Sequence, residues 1–121
     1  MQLSIRRTFE ASHMIPDHKG KCKYVHGHSY VVEVQITGIY NRKDGMLVDF
    51  GDVKSIIDRF DHSNLNESFK YPSAENLARY FALKILRLSD NIMQVVVTVF
   101  ETEDCCATET VVNRRYYEQA F

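Results

Sequence analysis

The 121-residue sequence has no long apolar run and no excess of positive charge. None of its apolar stretches approaches the roughly 18 residues of a membrane-spanning helix, and residues 1–7 lack the apolar segment of a signal peptide. The 15 basic and 16 acidic residues give a formal charge of -1, whereas binding to a phosphate backbone usually requires a strongly basic chain. We therefore expect a cytoplasmic protein that has no membrane or nucleic-acid partner.

Cysteine is scarce, and the chain carries no internal repeat, low-complexity segment or Pro/Ser-rich linker. The three cysteines are Cys22, Cys105 and Cys106, and an odd number with two adjacent members does not suggest a disulfide framework. A hydrophobic content of 45% is enough for a modest core. The sequence predicts one domain over residues 1–121, in a reducing compartment.

Two segments in the first third of the chain alternate apolar and polar residues with a period of two. The apolar positions are Leu3, Ile5, Phe9 and Ala11 in the first segment and Tyr30, Val32, Val34 and Ile36 in the second. This alternation predicts two half-buried strands, interrupted only by Arg7 in the first and ending at Gly38 in the second. We expect the strands to pair as an antiparallel hairpin across a long loop of residues 14–25.

Two later segments carry apolar residues at helical spacing, and each follows a residue that can cap a helix. Asp49 precedes the first segment and Ser73 precedes the second. The apolar positions are Val53, Ile56, Ile57 and Phe60, then Leu77, Ala78, Phe81, Ala82, Ile85 and Leu88. Residues 93–100 and 108–117 complete the predicted pattern as two strands.

The predicted order is strand, strand, helix, helix, strand, strand. It indicates an α+β fold with a four-stranded antiparallel sheet and both helices on one face. Such a sheet has two open edges, which are prone to association unless they are covered. We therefore predict a homo-oligomer that pairs through these edges.

Three histidines fall at positions that the predicted hairpin brings together. His26 and His28 are two apart on a strand and project from the same face, while His13 extends the core-facing series of the opposite strand. Paired positions on such strands have Cβ atoms about 4.5 to 5.5 Å apart. Three imidazoles without a fourth protein ligand are typical of a catalytic zinc site. The alternatives are histidines that simply pack in the core or on the surface, or a four-ligand structural site that includes Cys22.

Four other residues are candidates for chemistry, each with an ordinary alternative. Lysines on both sides of Cys22 would favour its thiolate form, although a cysteine in a loop is more often a small apolar residue. Asp61 and His62 form a carboxylate–imidazole pair suited to proton transfer, but the same dipeptide is common in turns. Glu101 could accept N–H groups from a heterocycle, or it could be an ordinary charged strand end.

Taken together, these motifs resemble the 6-pyruvoyl-tetrahydropterin synthase family over nearly the whole chain. The spacing of three residues between Cys22 and His26 resembles its 6-carboxy-tetrahydropterin synthase branch, which makes a queuosine precursor. The motifs are Phe9-x-Ala11-x-His13, Cys22-x3-His26-Gly27-His28, Gly45-Met46-x-x-Asp49-Phe50, Asp61-His62-x-x-Leu65-Asn66, Pro72-x-x-Glu75-Asn76 and Glu101-Thr102.

The resemblance implies a tunnelling fold in which ββααββ subunits close their sheets into a trimeric barrel and two trimers stack as a hexamer. It implies that Cys22 is a catalytic base, that Asp61 and His62 are its acid/base partners, and that Glu101, followed by Thr102, binds the pterin. A neighbouring subunit can supply some of these groups. The implied zinc ligands are His13, His26 and His28.

The implied activity is that of a lyase acting on 7,8-dihydroneopterin triphosphate. The products would be 6-carboxy-5,6,7,8-tetrahydropterin, acetaldehyde and triphosphate. One alternative is a 6-pyruvoyl-tetrahydropterin synthase, or a folate-pathway relative that uses the same substrate. Another is a non-catalytic zinc- or pterin-binding assembly module. The triphosphate site is unassigned, with Lys19, Lys21 and Lys23 as candidates.

Overall fold

The computed structural model describes residues 1–117, so the last four residues of the predicted domain 1–121 lie outside the described part. Five strands form one sheet in the order β3-β1-β2-β4-β5. The strands are β1 (Gln2–His13), β2 (His26–Gly38), β3 (Ser63–Asn64), β4 (Ile92–Phe100) and β5 (Cys106–Val112). The helices are α1 (Phe50–Asp58), α2 (Ala74–Leu86) and α3 (Arg114–Tyr117), and short 3-10 turns span Lys21–Lys23 and Leu65–Glu67.

The predicted hairpin is confirmed. β1 and β2 pair antiparallel from Gln2 opposite Thr37 to His13 opposite His26. Their alternating apolar residues face one side of the sheet, where the rings of Phe9 and Tyr30 stack with centroids 4.8 Å apart. The last position of β2 requires a glycine, because a Cβ at Gly38 would clash with the carbonyl oxygen of Asn91.

Both predicted helices cover the same face of the sheet, as expected. The Asp49 side chain accepts a hydrogen bond from the Gly51 amide at the start of α1, and the Ser73 hydroxyl accepts one from the Asn76 amide at the start of α2. The apolar sides of the two helices join the helix-facing strand residues in one core. None of the helices in the described residues is both long and apolar enough to cross a membrane.

Arg7, the one charged residue in the apolar series of β1, has a partner on α1. Its Nε and one terminal nitrogen donate to the two Asp58 carboxylate oxygens at 2.7 and 2.6 Å. This pairing lowers the pKa of Asp58, chiefly because the carboxylate accepts the guanidinium hydrogen bond. The interruption in the pattern is therefore an ion pair that ties α1 to the sheet.

Two details differ from the predicted ββααββ order. A fifth strand, β3, pairs parallel with β1 at Ala11 and Ser12, in the turn between the main helices. The last strand was predicted to run over residues 108–117 but ends at Val112. The chain then turns into α3, because the Asn113 side chain accepts a hydrogen bond from the Arg115 amide at 3.1 Å and caps that turn.

Candidate metal centre

The three predicted ligand histidines meet at one end of the sheet. His13 is the last residue of β1, and it lies directly opposite His26, the first residue of β2. His28 follows on the same face of β2. The three ring centroids are 4.6, 5.0 and 4.9 Å apart, and His13 is only 1% exposed. The strand register that the sequence predicted is thus the one that forms the cluster.

Two of the imidazoles are held in the same tautomer by main-chain carbonyls. His13 Nδ1 donates to the Pro72 carbonyl at 2.7 Å, and His26 Nδ1 donates to the Tyr24 carbonyl at 2.7 Å. The proton of each neutral ring therefore lies on Nδ1, which leaves a lone pair on Nε2. These two Nε2 atoms are 3.0 Å apart. Two facing lone pairs repel each other, and a shared cation relieves that repulsion.

The third imidazole presents a buried nitrogen that has no hydrogen-bond partner within residues 1–117. His28 Nε2 lies 3.0 Å from Glu101 Oε1, a distance short enough for an ion pair, yet it forms no hydrogen bond. The carboxylate does not lie in the direction of a ring N–H on this nitrogen, as a hydrogen bond would require. Burial lowers the pKa of His28, outweighing the opposite effect of Glu101. A neutral His28 suits metal ligation.

The residues at this site fit a divalent metal ion. The ligand atoms of His13, His26, His28 and Glu101 all lie within 4.8 Å of one another. Three neutral nitrogens beside a carboxylate suit zinc and other first-row transition metals. Imidazole ligands also suit copper, iron and nickel.

Glu101 lies closer to the histidines than the sequence indicated. Phe100, the last residue of β4, pairs with Val31 of β2, so Glu101 just beyond the strand comes beside Tyr30 on the helix-facing side, diagonal to His28. The alternation of β4 predicts that Glu101 lies on the helix-facing side. Its distance from the histidines depends on the register between β2 and β4, which are distant in sequence. The Tyr30 ring lies under the cluster, edge-on to His13 and His28.

Cys22 contributes no atom to the ligand group in the described residues. It is a half-buried free thiol in the 3-10 turn of the long loop. Its carbonyl accepts a hydrogen bond from the Ile15 amide at 2.7 Å, which fastens the turn two residues beyond His13. The four-ligand alternative that included this cysteine is therefore not the arrangement found.

The Asp61–His62 pair is formed, but it lies apart from the ligand group. His62 Nδ1 is 3.0 Å from Asp61 Oδ2, and the His62 side chain is 80% exposed. The main chain of Glu10 holds both residues: its amide donates to Asp61 Oδ1 at 2.8 Å and its carbonyl accepts from the His62 amide at 2.6 Å. The Glu10 amide is also the main cause of the lowered pKa of Asp61, with a further contribution from His62. His62 and His28 line the same open depression, of about 610 Å³.

The second predicted pterin-binding residue lies on the other face of the sheet. Thr102 is exposed and lines a depression of about 210 Å³ together with Arg6, Ser29 and Glu33. These side chains come from the positions of β1 and β2 that point away from the helices. The structure brings Glu101 to the cluster but leaves Thr102 outside it.

Comparisons with known proteins agree on one family. A sequence profile described as 6-pyruvoyl tetrahydropterin synthase matches residues 2–111. A protein of Archaeoglobus fulgidus, provisionally named a 6-carboxy-5,6,7,8-tetrahydropterin synthase, is 39% identical over 108 residues, covering 86% of this chain and 90% of that protein. The 6-carboxy-5,6,7,8-tetrahydropterin synthase of Rickettsia conorii is 30% identical over 128 residues, covering 83% and 93%.

Solved structures show the same fold. The 6-pyruvoyl tetrahydropterin synthase of Caenorhabditis elegans superposes with a TM-score of 0.71 at 24% identity, covering 92% of this chain and 95% of that one. The same enzyme from Plasmodium falciparum gives a TM-score of 0.70 at 18% identity, covering 93% and 98%. The subunit fold implied by the sequence resemblance is confirmed.

Proposed function

The chain belongs to the 6-pyruvoyl tetrahydropterin synthase family, and we propose that it is a zinc-dependent 6-carboxy-5,6,7,8-tetrahydropterin synthase. The reaction converts 7,8-dihydroneopterin triphosphate and one water into 6-carboxy-5,6,7,8-tetrahydropterin, acetaldehyde and triphosphate. No external redox cofactor is needed, because the ring is reduced as the side chain is oxidised. We assign the protein to queuosine biosynthesis in the cytoplasm.

One observation carries this proposal: three imidazole nitrogens converge while the nearby thiol stays outside the ligand group. A metal bound by His13, His26 and His28 alone would keep a coordination position for substrate. Zinc held there would act as a Lewis acid on the hydroxyl groups of the substrate side chain and lower their pKa. The names of the relatives and the three-residue spacer before His26 favour the carboxy product over the pyruvoyl product.

Glu101 is assigned to the substrate rather than to the metal. A catalytic zinc site keeps an open position, and the Glu101 carboxylate lies at the edge of the cluster with 26% of its side chain exposed. Its two oxygens could accept paired N–H groups from the pterin ring, a geometry that fixes orientation as well as adding affinity. Thr102 stays a proposed pterin contact because it follows Glu101 in the same turn, although its side chain lines the depression on the other face of the sheet.

Cys22 and the Asp61–His62 pair are assigned the proton transfers. The Cys22 thiolate would take a proton from the substrate side chain, which breaks a C–H bond and begins tautomerisation. Asp61 holds the His62 imidazole at 3.0 Å, so that His62 can accept and return a proton during triphosphate elimination and carbon–carbon cleavage. Lys19, Lys21 and Lys23 are candidates for the triphosphate, because all three are exposed beside Cys22.

We further propose a homohexamer of two stacked trimers. The outer edge of β5 has no partner among the described residues, and β1 is paired on its outer edge only at Ala11 and Ser12. Such edges favour pairing between copies of the chain. A neighbouring copy would also bring groups to the exposed side of His62, which no part of the described chain covers.

Product analysis tests the proposal. The zinc-loaded protein is incubated with 7,8-dihydroneopterin triphosphate, and the pterin is identified by mass spectrometry while acetaldehyde is measured separately. We expect equal amounts of 6-carboxy-5,6,7,8-tetrahydropterin and acetaldehyde. A pyruvoyl product without acetaldehyde would assign the chain to the other branch. An unchanged substrate, with zinc affecting only stability, would indicate a non-catalytic module.

A further inference from the structure

Two asparagines in the family-like motifs, Asn66 and Asn76, have no part in the chemistry assigned above. Their side chains nevertheless make hydrogen bonds to main-chain groups that adjoin His13 or the turn that contacts its ring. Asn66 lies in the 3-10 turn after β3, and Asn76 lies in the first turn of α2. The two residues approach the same metal-binding histidine from different elements.

Asn66 fixes the main chain immediately after His13. Its Oδ1 accepts from the Met14 amide at 2.8 Å, and its Nδ2 donates to the Met14 carbonyl at 3.0 Å. The sheet pairs of β1 stop before Met14, at His13 on one side and Ser12 on the other. The Asn66 side-chain amide therefore makes the two hydrogen bonds to Met14 that a neighbouring strand would make. It keeps the end of β1 from fraying next to His13.

Asn76 fixes the carbonyl that orients the His13 ring. Its Nδ2 donates to the Tyr71 carbonyl at 2.8 Å, and the Ser73 amide donates to the same oxygen at 2.9 Å. These bonds close a tight turn around Pro72, whose carbonyl accepts the proton of His13 Nδ1. If this turn opened, the ring of His13 would lose the bond that sets its tautomer and direction.

We propose that Asn66 and Asn76 are positioning residues for His13, one holding its main chain and the other its ring. This inference rests on the proposed metal binding by His13. Metal-bound histidines depend on partners of their second nitrogen, and removing such partners typically weakens metal binding by about 10- to 100-fold. A loss of that size is expected here, although neither asparagine is in the ligand group.

The test measures zinc affinity and apoprotein stability in the same variants. Zinc affinity is obtained by competition with a coloured chelator, and the midpoint of thermal unfolding is measured with the metal removed. Asn66→Ala and Asn76→Ala should each bind zinc about 10- to 100-fold more weakly than the wild type. Cobalt(II) in place of zinc should also show altered visible absorption bands, since the ligand geometry is less well fixed.

Asn76→Asp separates positioning from stability. An aspartate in the first turn of a helix favours the helix through its dipole, so the variant should unfold no earlier than the wild type. It has no N–H to give to the Tyr71 carbonyl, so zinc should still bind more weakly. Asn66→Asp keeps the acceptor for the Met14 amide but places a carboxylate against the Met14 carbonyl, and we expect weaker zinc binding there as well.

Asn113→Ala is the matched control. Asn113 also joins two main-chain groups, the Ile92 carbonyl and the Arg115 amide, at the opposite end of the sheet. Its loss should lower stability and leave zinc affinity unchanged. Wild-type zinc affinity in both Asn76 variants and in Asn66→Asp would overturn the inference. A wild-type chain that takes up no zinc would overturn the proposed function, and this inference with it.

Discussion

The histidine cluster and the Asp61–His62 pair are built in opposite ways. The cluster is formed by side chains at the ends of long strands, and His13 in it is almost fully buried. The Asp61–His62 pair is held by main-chain hydrogen bonds to Glu10, and its imidazole is 80% exposed. The candidate metal ligands therefore all come from one chain, whereas the pair proposed for proton transfer faces outward.

The contrast separates two kinds of requirement. Metal binding needs three nitrogens in a fixed geometry, which a rigid sheet provides. The proposed proton transfer needs a group that can approach the substrate, and the exposed His62, in a left-handed turn with φ of 56°, is accessible for that proposed role. Substitutions in the cluster should remove the metal, whereas substitutions in the pair should slow turnover and leave the metal in place.

The largest effect is expected in the cluster. His26→Ala removes one of the two facing Nε2 atoms, so the protein should no longer retain one zinc per chain, and turnover should fall to background. His18→Ala is the control, because His18 is an exposed loop histidine whose ring accepts from the Gly20 amide. Zinc content by atomic emission and acetaldehyde release check both. Equal zinc content in His26→Ala and His18→Ala would show that the cluster histidine matters no more for metal binding than a surface histidine.

The next largest effect is expected at Cys22. Cys22→Ala should lower kcat by about 10²- to 10⁴-fold, the usual contribution of a general base, while one zinc per chain is retained. Cys106→Ala, which removes an exposed thiol at the start of β5, should leave both unchanged. Loss of zinc from Cys22→Ala would show that the thiol is a ligand after all.

A smaller effect is expected at the exposed pair. His62→Asn keeps a residue that tolerates the left-handed conformation but removes the imidazole, and kcat should fall by about 10²-fold. Zinc affinity should match that of the wild type, since His62 is not in the ligand group. Steady-state kinetics and chelator competition measure the two quantities. A loss of zinc affinity in this variant would show that His62 contributes to metal binding, which would contradict the separation of the two regions.

The smallest effect is expected at the ion pair between α1 and β1. Arg7→Met should lower the free energy of unfolding only slightly, because the two side chains are 39% and 41% exposed and solvent screens exposed ion pairs. The folded-state pKa of Asp58 is lowered, so the pair stabilises the protein above the unfolded pKa of about 3.9. That contribution is lost as the pH falls through the folded-state pKa.

Urea unfolding of the apoprotein at pH 7 and at pH 3 measures the difference for Arg7→Met. The wild type should be the more stable protein at pH 7, and the difference between the two should be smaller at pH 3. A difference that grows towards pH 3 would contradict the assigned sign. Zinc affinity should be unaffected at pH 7, which places this ion pair outside both functional regions.

Most of the fold could be predicted from the sequence because its signals are local. Alternation fixed the extent of β1 and β2 and the side on which each residue lies, and caps at Asp49 and Ser73 marked the helix starts. The two-residue strand β3 could not be predicted, since it forms only by pairing with β1. The end of β5 was misplaced because Asn113 redirects the chain through a side-chain hydrogen bond.

The site was predictable to the extent that it depends on neighbouring strands. His13, His26 and His28 followed from a hairpin register set by the sequence pattern. The approach of Glu101 to His28 spans 73 positions and the contacts of Asn66 with Met14 span 52, and no local pattern encodes such contacts. The bond from Asn76 to Tyr71 is local, but the turn that it closes reaches His13 through the Pro72 carbonyl, across 59 positions. The outward position of His62 likewise depends on main-chain bonds to Glu10 across 52 positions.

Anomalous diffraction at the zinc absorption edge, from crystals of the zinc-loaded protein, tests the central claim most directly. That claim is that three histidines hold the metal while Cys22 remains free. We predict one peak per chain, about 2.0–2.1 Å from the Nε2 atoms of His13, His26 and His28. A peak bonded to the Cys22 sulfur, or no peak among these nitrogens, would contradict it.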